Sequence, residues 1–253
     1  HSEDARRIRP RGQSSYSSAV RTAFNWAVNH DRLLKSPFKK VKKLKAEKEP
    51  EIDFLNRDER DKLLEACEAP VPFHGPGGKG KKTRDRITPI YAIVAVAVFA
   101  GLRLLEILNL AWTDVDFKKK ELIVRSKPNF RTKTGKDRRV PLFPDLEEIL
   151  KPLRSKDGLC FQTRNGTGYQ SRNIHRELKR VASKLGAREK PVNFVTLRHT
   201  FATQLVSSGI SIYAVSKWLG HASVKTTEKH YAAFVPDEMV VEQAAEALAR
   251  SSE

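Results

Sequence analysis

A tyrosine placed a few residues after a helix-ending Gly-His can act as a nucleophile toward phosphorus, and this chain has one. Gly220-His221-Ala222-Ser223-Val224-Lys225-Thr226-Thr227-Glu228-Lys229 runs straight into His230-Tyr231, and Thr196-Leu197-Arg198-His199-Thr200-Phe201-Ala202-Thr203 lies just upstream. Splitting a phosphodiester without a metal requires a nucleophile, cations that absorb the charge growing on the non-bridging oxygens, and an acid for the departing 5′-oxygen. Tyrosine, arginine and lysine side chains brought together offer all three. The two segments therefore point to an enzyme that cuts DNA with a tyrosine.

The charge balance agrees. A formal charge of +18 over 253 residues is more basic than solubility requires and suits a partner made of phosphates. Ribosomal, membrane-surface and heparin-binding proteins can be equally basic, so charge names a partner and not a reaction. Hydrophobic residues make up 39% of the chain, enough for a packed core. Cys67 and Cys160 lie far apart with no C-x-x-C pair, which indicates neither a zinc site nor a disulfide framework. A reducing, cytosol-like compartment is the expectation. The most apolar run, Pro89 to Leu102, is shorter than the ~18 apolar residues of a membrane span. It reads as a buried helix with Thr88 as N-cap and Pro89 at the first helical position. No signal peptide is expected, and a start at His1-Ser2 with the only methionine at Met239 reads as a tag remnant or a boundary inside a longer protein.

These residues need elements to position them. Residues 1–48 carry 13 Lys/Arg against four acidic residues, so half of the excess charge sits in a fifth of the length. Val20, Ala23, Phe24, Ala27 and Val28 fall at helical spacing, on an amphipathic helix that 48 residues cannot cover alone, as at the end of a larger helical domain. Lys45 to Glu51 reads as a polar linker, and a second domain is expected over 49–253. It opens with Asn56 as N-cap and Glu59 at the third helical position of a helix through Cys67. Gly75-Pro76-Gly77-Gly78-Lys79-Gly80-Lys81-Lys82 nearly matches a phosphate-binding loop, but Lys82 stands where a magnesium-binding hydroxyl belongs and Val71-Pro72-Phe73 is a poor strand. A basic loop, solvated or touching DNA, is expected there instead of an ATP site. Further on, Arg103 and Glu106 share a helix face. Asp114–Phe117, Glu121–Val124 and Arg138–Leu142 read as three strands of an antiparallel meander, with Thr132-Lys133-Thr134-Gly135-Lys136 in a turn. Helices are expected at 171–185, 196–208, 211–219, near 226–233, and at 237–249.

In order, Gly101-Leu102-Arg103 with Glu106, Thr132 to Lys136 ahead of Val140-Pro141-Leu142, Leu197 to Thr203, Leu219-Gly220-His221 and Tyr231 form a set that resembles the tyrosine recombinase (phage integrase) family across roughly residues 13–250. The resemblance implies a mainly α fold with a small three-stranded antiparallel sheet (α+β), preceded by part of a helical core-binding domain, the two closing as a C-shaped clamp on double-stranded DNA. It implies that Tyr231 forms a 3′-phosphotyrosine, that Arg103 and Arg198 clamp the scissile phosphate, and that Lys133, with Lys136 as the fallback, protonates the leaving oxygen. His221 would hydrogen-bond the phosphate, and Glu106 would orient Arg103. Phosphate contacts are expected from Lys39, Lys40, Lys42, Lys43, Lys45, Arg131 and Lys136. No metal, cofactor or ATP is implied, because the tyrosyl ester conserves the bond energy. A final helix with an apolar stripe around Met239, Val240, Val241, Ala244, Ala245 and Leu248 would dock on a neighbour and build a tetramer on DNA.

Two positions depart from the family pattern. Val195 stands three residues before Arg198, where the family has His or Lys, which leaves the general base unassigned. His199 points about 100° away from Arg198 on a helix and is expected to pack or bond structurally. Tyr231 also falls ten residues after His221 where nine is commoner, with His230 in the usual place; tyrosine is still the expected nucleophile, since histidine does not give the stable, reversible ester. A type IB topoisomerase and a catalytically silent DNA-binding relative are the competing readings.

Overall fold

The computed structural model describes residues 10–41, 52–68, 89–163 and 165–236. The chain divides into two compact units, His1–Glu51 and Ile52–Glu253. In the first, helix α1 (Pro10–Asn29) is followed by a single 3-10 turn, Pro37–Lys40, capped by Ser36. Arg21 ties the two together, donating to Phe38 O and Val41 O at 3.0 Å each and lying over the Phe38 ring. Phe24 packs against Phe38, the rings tilted by 36° with centroids 5.5 Å apart. None of residues 17–41 is buried, and Trp26 is 56% exposed.

The second unit is built on helix α3 (Ile90–Ala100), whose residues are almost all apolar and buried. A helix that is hydrophobic all round has to be surrounded, and α3 packs against α2 (Arg57–Glu68), α4 (Leu104–Leu108), α5 (Pro144–Leu150), α6 (Ser171–Ala182) and α7 (Phe194–Ser207). Helices α8 (Ile212–Leu219) and α9 (Val224–Tyr231) complete the described part and pack on each other and on α7. Asn56 and Glu59 cap α2 reciprocally, each side chain accepting from the other's backbone N–H at 2.9 and 3.0 Å. The sheet runs β1 (Val115–Asp116), β2 (Glu121–Val124), β3 (Arg138–Pro141), antiparallel throughout, with Val115 opposite Leu122 and Leu122 opposite Val140. Leu122, Val124 and Val140 alternate into the core. The expected mainly helical fold with a small three-stranded sheet is what the structure shows.

Local corrections come from turn chemistry. Pro89 precedes the first residue of α3 instead of occupying it. Arg103 is not on a helix face with Glu106; it sits in extended backbone (φ −72°, ψ 149°) as the residue before α4. Helix α7 begins two residues early, at Phe194, because the Asn193 side chain accepts from Val195 N and Thr196 N. Helix α5, not foreseen, has Pro144 at its first position and Asp145 and Glu147 in its first turn, the ordinary marks of a helix start. The glycine-rich loop at 75–82, Thr88, the last helix at 237–249 and Lys42, Lys43 and Lys45 lie outside the described residues. Among the described residues, no helix is long and apolar enough to cross a membrane.

Candidate active site

Two helix ends create the centre of the site. Helix α3 stops at Gly101 and α8 at Gly220, both in the left-handed region with φ +63° and +66°. Neither accepts a side chain, since a Cβ on Gly101 would lie 2.3 Å from the Phe201 ring and one on Gly220 2.8 Å from Arg138 Cδ. The turns leave two carbonyls without helical partners, and these are negative helix ends. Arg198, reaching out of α7, donates Nη1 to Gly101 O at 2.7 Å and Nη2 to Leu219 O at 2.5 Å. Two of its five N–H groups are thereby spent on anchoring, and the rest remain for an anion. Burial, then the nearby Arg103, pulls Arg198 down to about 9, so it stays cationic at neutral pH.

Arg103 is positioned by the same turn. Its backbone N–H donates to Glu106 Oε2 at 2.9 Å and its Nη1 to Oε1 at 3.1 Å. Glu106 is only 4% exposed and also takes two bonds from Arg138, at 3.0 and 2.6 Å. Burial pushes this carboxyl up, but the hydrogen bonds and charges of Arg138 and Arg103 outweigh it and hold the group below the usual carboxylate range. Arg138 donates its Nε to Trp218 O at 2.7 Å, joining the sheet to α8. Reading the sequence missed Arg138, although a signal was there. On strand β3 it shares a face with the buried Val140, and a charged residue on the core side of a strand requires a partner.

The loop between β2 and β3 delivers Lys133. Thr132 is buried and bonds Ser126 Oγ at 3.3 Å and Lys136 O at 3.4 Å, and Gly135 N closes a turn on Thr132 O at 3.0 Å. At the loop's base, Lys127 binds Asp114 and Asn109 O, each at 2.5 Å. Lys133 itself is exposed on this anchored turn.

Tyr231, the last residue of α9, is 1% exposed, and its hydroxyl lies 2.6 Å from His199 Nδ1. Burial pushes the phenol up to about 12, against the pull of Arg198. His199 is held down to about 4 by burial, then by His230 and Arg198; it is neutral near pH 7. The structural bond expected of His199 is present, and its partner is Tyr231. Helix α9 packs on the next face of α7, which puts the imidazole against the tyrosine. His221 follows the Gly220 turn and meets Thr227 Oγ1 at 2.8 Å. Burial and the charges of Arg198 and Arg103 likewise hold it down to about 4.

Arg103, Arg131, Lys133, Arg198, His221 and Tyr231 line one open cleft of about 720 Å³, together with Glu106, His199, His230 and Val195. Lys136 is not part of the lining, and Lys39 and Lys40 belong to the 3-10 turn of the first unit. Val195 stands 61% exposed on the rim. Among the described residues, four cations against one carboxylate line the cleft and make it an anion site, and a neutral phenol sits in it. A phenol, two guanidinium groups and an exposed ammonium thus face the same space.

Residues 53–237 match the model of the phage integrase family. A tyrosine recombinase XerC-like protein of Caldanaerobacter subterraneus subsp. tengcongensis is 27% identical over 86% of this chain and 61% of its own length. Tyrosine recombinase XerC of Xanthomonas campestris pv. campestris is 29% identical over 89% of this chain and 65% of its own length. The chain thus spans under two thirds of both relatives. Among solved structures, the Tn1549 transposon integrase in complex with transposon right end DNA superposes with a TM-score of 0.66 at 18% identity, over 96% of this chain and 80% of that one. That likeness is one of fold.

Proposed function

The chain belongs to the phage integrase family, and we propose that it is a site-specific DNA recombinase that cleaves and rejoins double-stranded DNA through a 3′-phosphotyrosine. The observation that carries this reading is the convergence of Tyr231, Arg103, Arg198 and Lys133 on one cleft. Tyr231 Oη bonds to phosphorus as the P–O5′ bond breaks, and Lys133 gives a proton to the departing O5′. Arg103 and Arg198 take up the charge on the non-bridging oxygens, and losing one such donor costs about 10²–10³ in rate. His221, neutral and with its Nδ1 held by Thr227, donates its Nε2–H to the same phosphate. Religation by a second 5′-hydroxyl reverses each step, so no ATP is needed.

The remainder of the reading concerns assembly. Residues 1–48 form the end of a core-binding domain and 49–253 the catalytic domain; Lys39, Lys40, Lys42, Lys43, Lys45, Arg131 and Lys136 bind phosphates along the duplex. The helix at 237–249 docks on a neighbouring protomer in a tetramer on DNA, and the protein works at the nucleoid of a bacterial or archaeal cytoplasm.

The test uses nicked suicide duplexes made from the DNA flanking the coding region. A covalent adduct mapped to Tyr231, absent in Tyr231→Phe although that variant still binds DNA within a few-fold, is the expected result. An adduct that survives in Tyr231→Phe overturns the assignment. Binding with no adduct favours a silent DNA-binding relative, and rejoining confined to the cut strand favours a topoisomerase.

A further inference from the structure

Tyr231 has to lose a proton to become a nucleophile, yet burial makes that proton harder to remove. Val195, in the place where a proton-handling side chain was expected, has none to offer. His199 stands one residue after Arg198, about 100° around α7. The two neighbours therefore serve opposite sides of the centre, Arg198 bonding the carbonyls that end α3 and α8 and His199 the phenol of α9.

We propose that His199 is the proton acceptor for Tyr231: its Nδ1 takes the phenolic proton as the Oη–P bond forms and returns it when that bond breaks. The proposal rests on the reading of Tyr231 as the nucleophile. The contact of 2.6 Å is already within transfer distance. With Nδ1 as the acceptor, the ring's own hydrogen is on Nε2. During cleavage, one proton moves from Tyr231 to His199 and another from Lys133 to O5′. During religation both return, so neither protons nor electrons are gained or lost over the cycle. The groups facing His199 are Arg198 on its own helix, His230 and Tyr231 on α9, and Asp53 ahead of α2. Burial and the first two keep the imidazole unprotonated at neutral pH, and Asp53 pulls the other way. A base that is neutral from mildly acid pH upward is ready whenever the enzyme works.

Single-turnover cleavage of a nicked duplex that the wild-type chain traps decides the matter. Wild type should show a level rate from about pH 5 to 8. His199→Ala should be slower by about 10²-fold at pH 7, the lower end of what general-base help contributes, and should climb about tenfold per pH unit as hydroxide replaces the imidazole. Added imidazole should restore part of the rate. His199→Gln is the control for packing and orientation, because its amide can accept the phenol's hydrogen bond but not its proton, and it should be as slow as the alanine variant. A Gln variant at the wild-type rate, or an alanine variant with the wild-type pH profile and no imidazole rescue, overturns the proposal while leaving the Tyr231 adduct intact. A wild-type chain that forms no adduct at Tyr231 removes the reading beneath it and the proposal as well.

Discussion

Arg138 holds Glu106 with two parallel bonds, Nη1 to Oε1 at 3.0 Å and Nη2 to Oε2 at 2.6 Å, and Glu106 in turn holds Arg103. The chain of contact runs from the sheet, through a buried carboxylate, to the edge of the cleft. Arg138 thus sets where Arg103 points without lining the cleft itself. Removing it leaves Glu106 buried with one partner, and breaking such a pair costs about 3–5 kcal/mol.

Arg138→Ala should therefore lower stability by that order in urea unfolding and slow DNA cleavage by misplacing Arg103. Arg138→Lys should rescue little of either, since one ammonium cannot fork onto both oxygens and also reach Trp218 O. Cleavage unchanged in the alanine variant would mean that Arg103 is fixed by its backbone alone.

Stability should depend on pH through His199 and His221. Both are held down to about 4 in the folded chain, against an ordinary value of 6.5. The unfolded chain thus binds more protons between these values, and stability is fully present above about pH 6.5 and falls as pH drops toward about 4. Glu106 adds a separate loss at lower pH, because its folded value is depressed and its contribution disappears as pH falls through it. Melting temperatures of wild type and of His199→Gln should keep a constant gap above about pH 6.5, and the wild type should fall relative to the variant as pH drops toward about 4, since only the wild type carries the imidazole. Parallel curves throughout would show that the imidazole titrates in the folded chain as it does in the unfolded one.

The two candidate acids can be separated by leaving-group chemistry. Lys133 lines the cleft on the turn anchored by Thr132, whereas Lys136 does not. A 5′-bridging phosphorothiolate departs as a thiolate that needs no proton, so it should restore cleavage by Lys133→Ala to near the wild-type rate with the same substrate. Rescue of Lys136→Ala alone would transfer the acid role to that residue.

Local residue types spelled out the elements, and packing decided the partners. The all-apolar run 89–102 could only be a buried helix, and alternating Leu122, Val124 and Val140 could only be a sheet with one face inward. Arg103, Lys133, His221 and Tyr231 likewise stand out in the sequence, each beside a glycine, a turn or a helix end, and Arg198 stands out within the Leu197–Thr203 run. What the sequence withheld was contact between elements far apart in the chain. Arg138 meets Glu106 across 32 positions and His199 meets Tyr231 across the same separation. No periodicity within one helix or strand reports such a pairing. The Arg103 backbone was misread for a smaller reason: Gly101 ends α3 so abruptly that the next helix starts only after the arginine.

Val195 offers a further test of how protons are handled. It lies four residues before His199, so both project from the same face of α7, one turn apart. At 61% exposure it has room for an imidazole without repacking the core. In the wild-type background Val195→His should change the cleavage rate by under about 3-fold, because Tyr231 already has an acceptor and general-base help is not supplied twice. In the His199→Ala background the same substitution should recover about 10-fold, short of full rescue, since the new ring starts one turn farther from the phenol. The pH profile carries the sign. A rim imidazole keeps an ordinary pKa near 6.5, and a base works only when unprotonated, so the double variant should lose rate below about pH 6.5, where the wild type stays level. A double variant no faster than His199→Ala, with a rate that still climbs tenfold per pH unit, would show that position 195 does not reach the tyrosine.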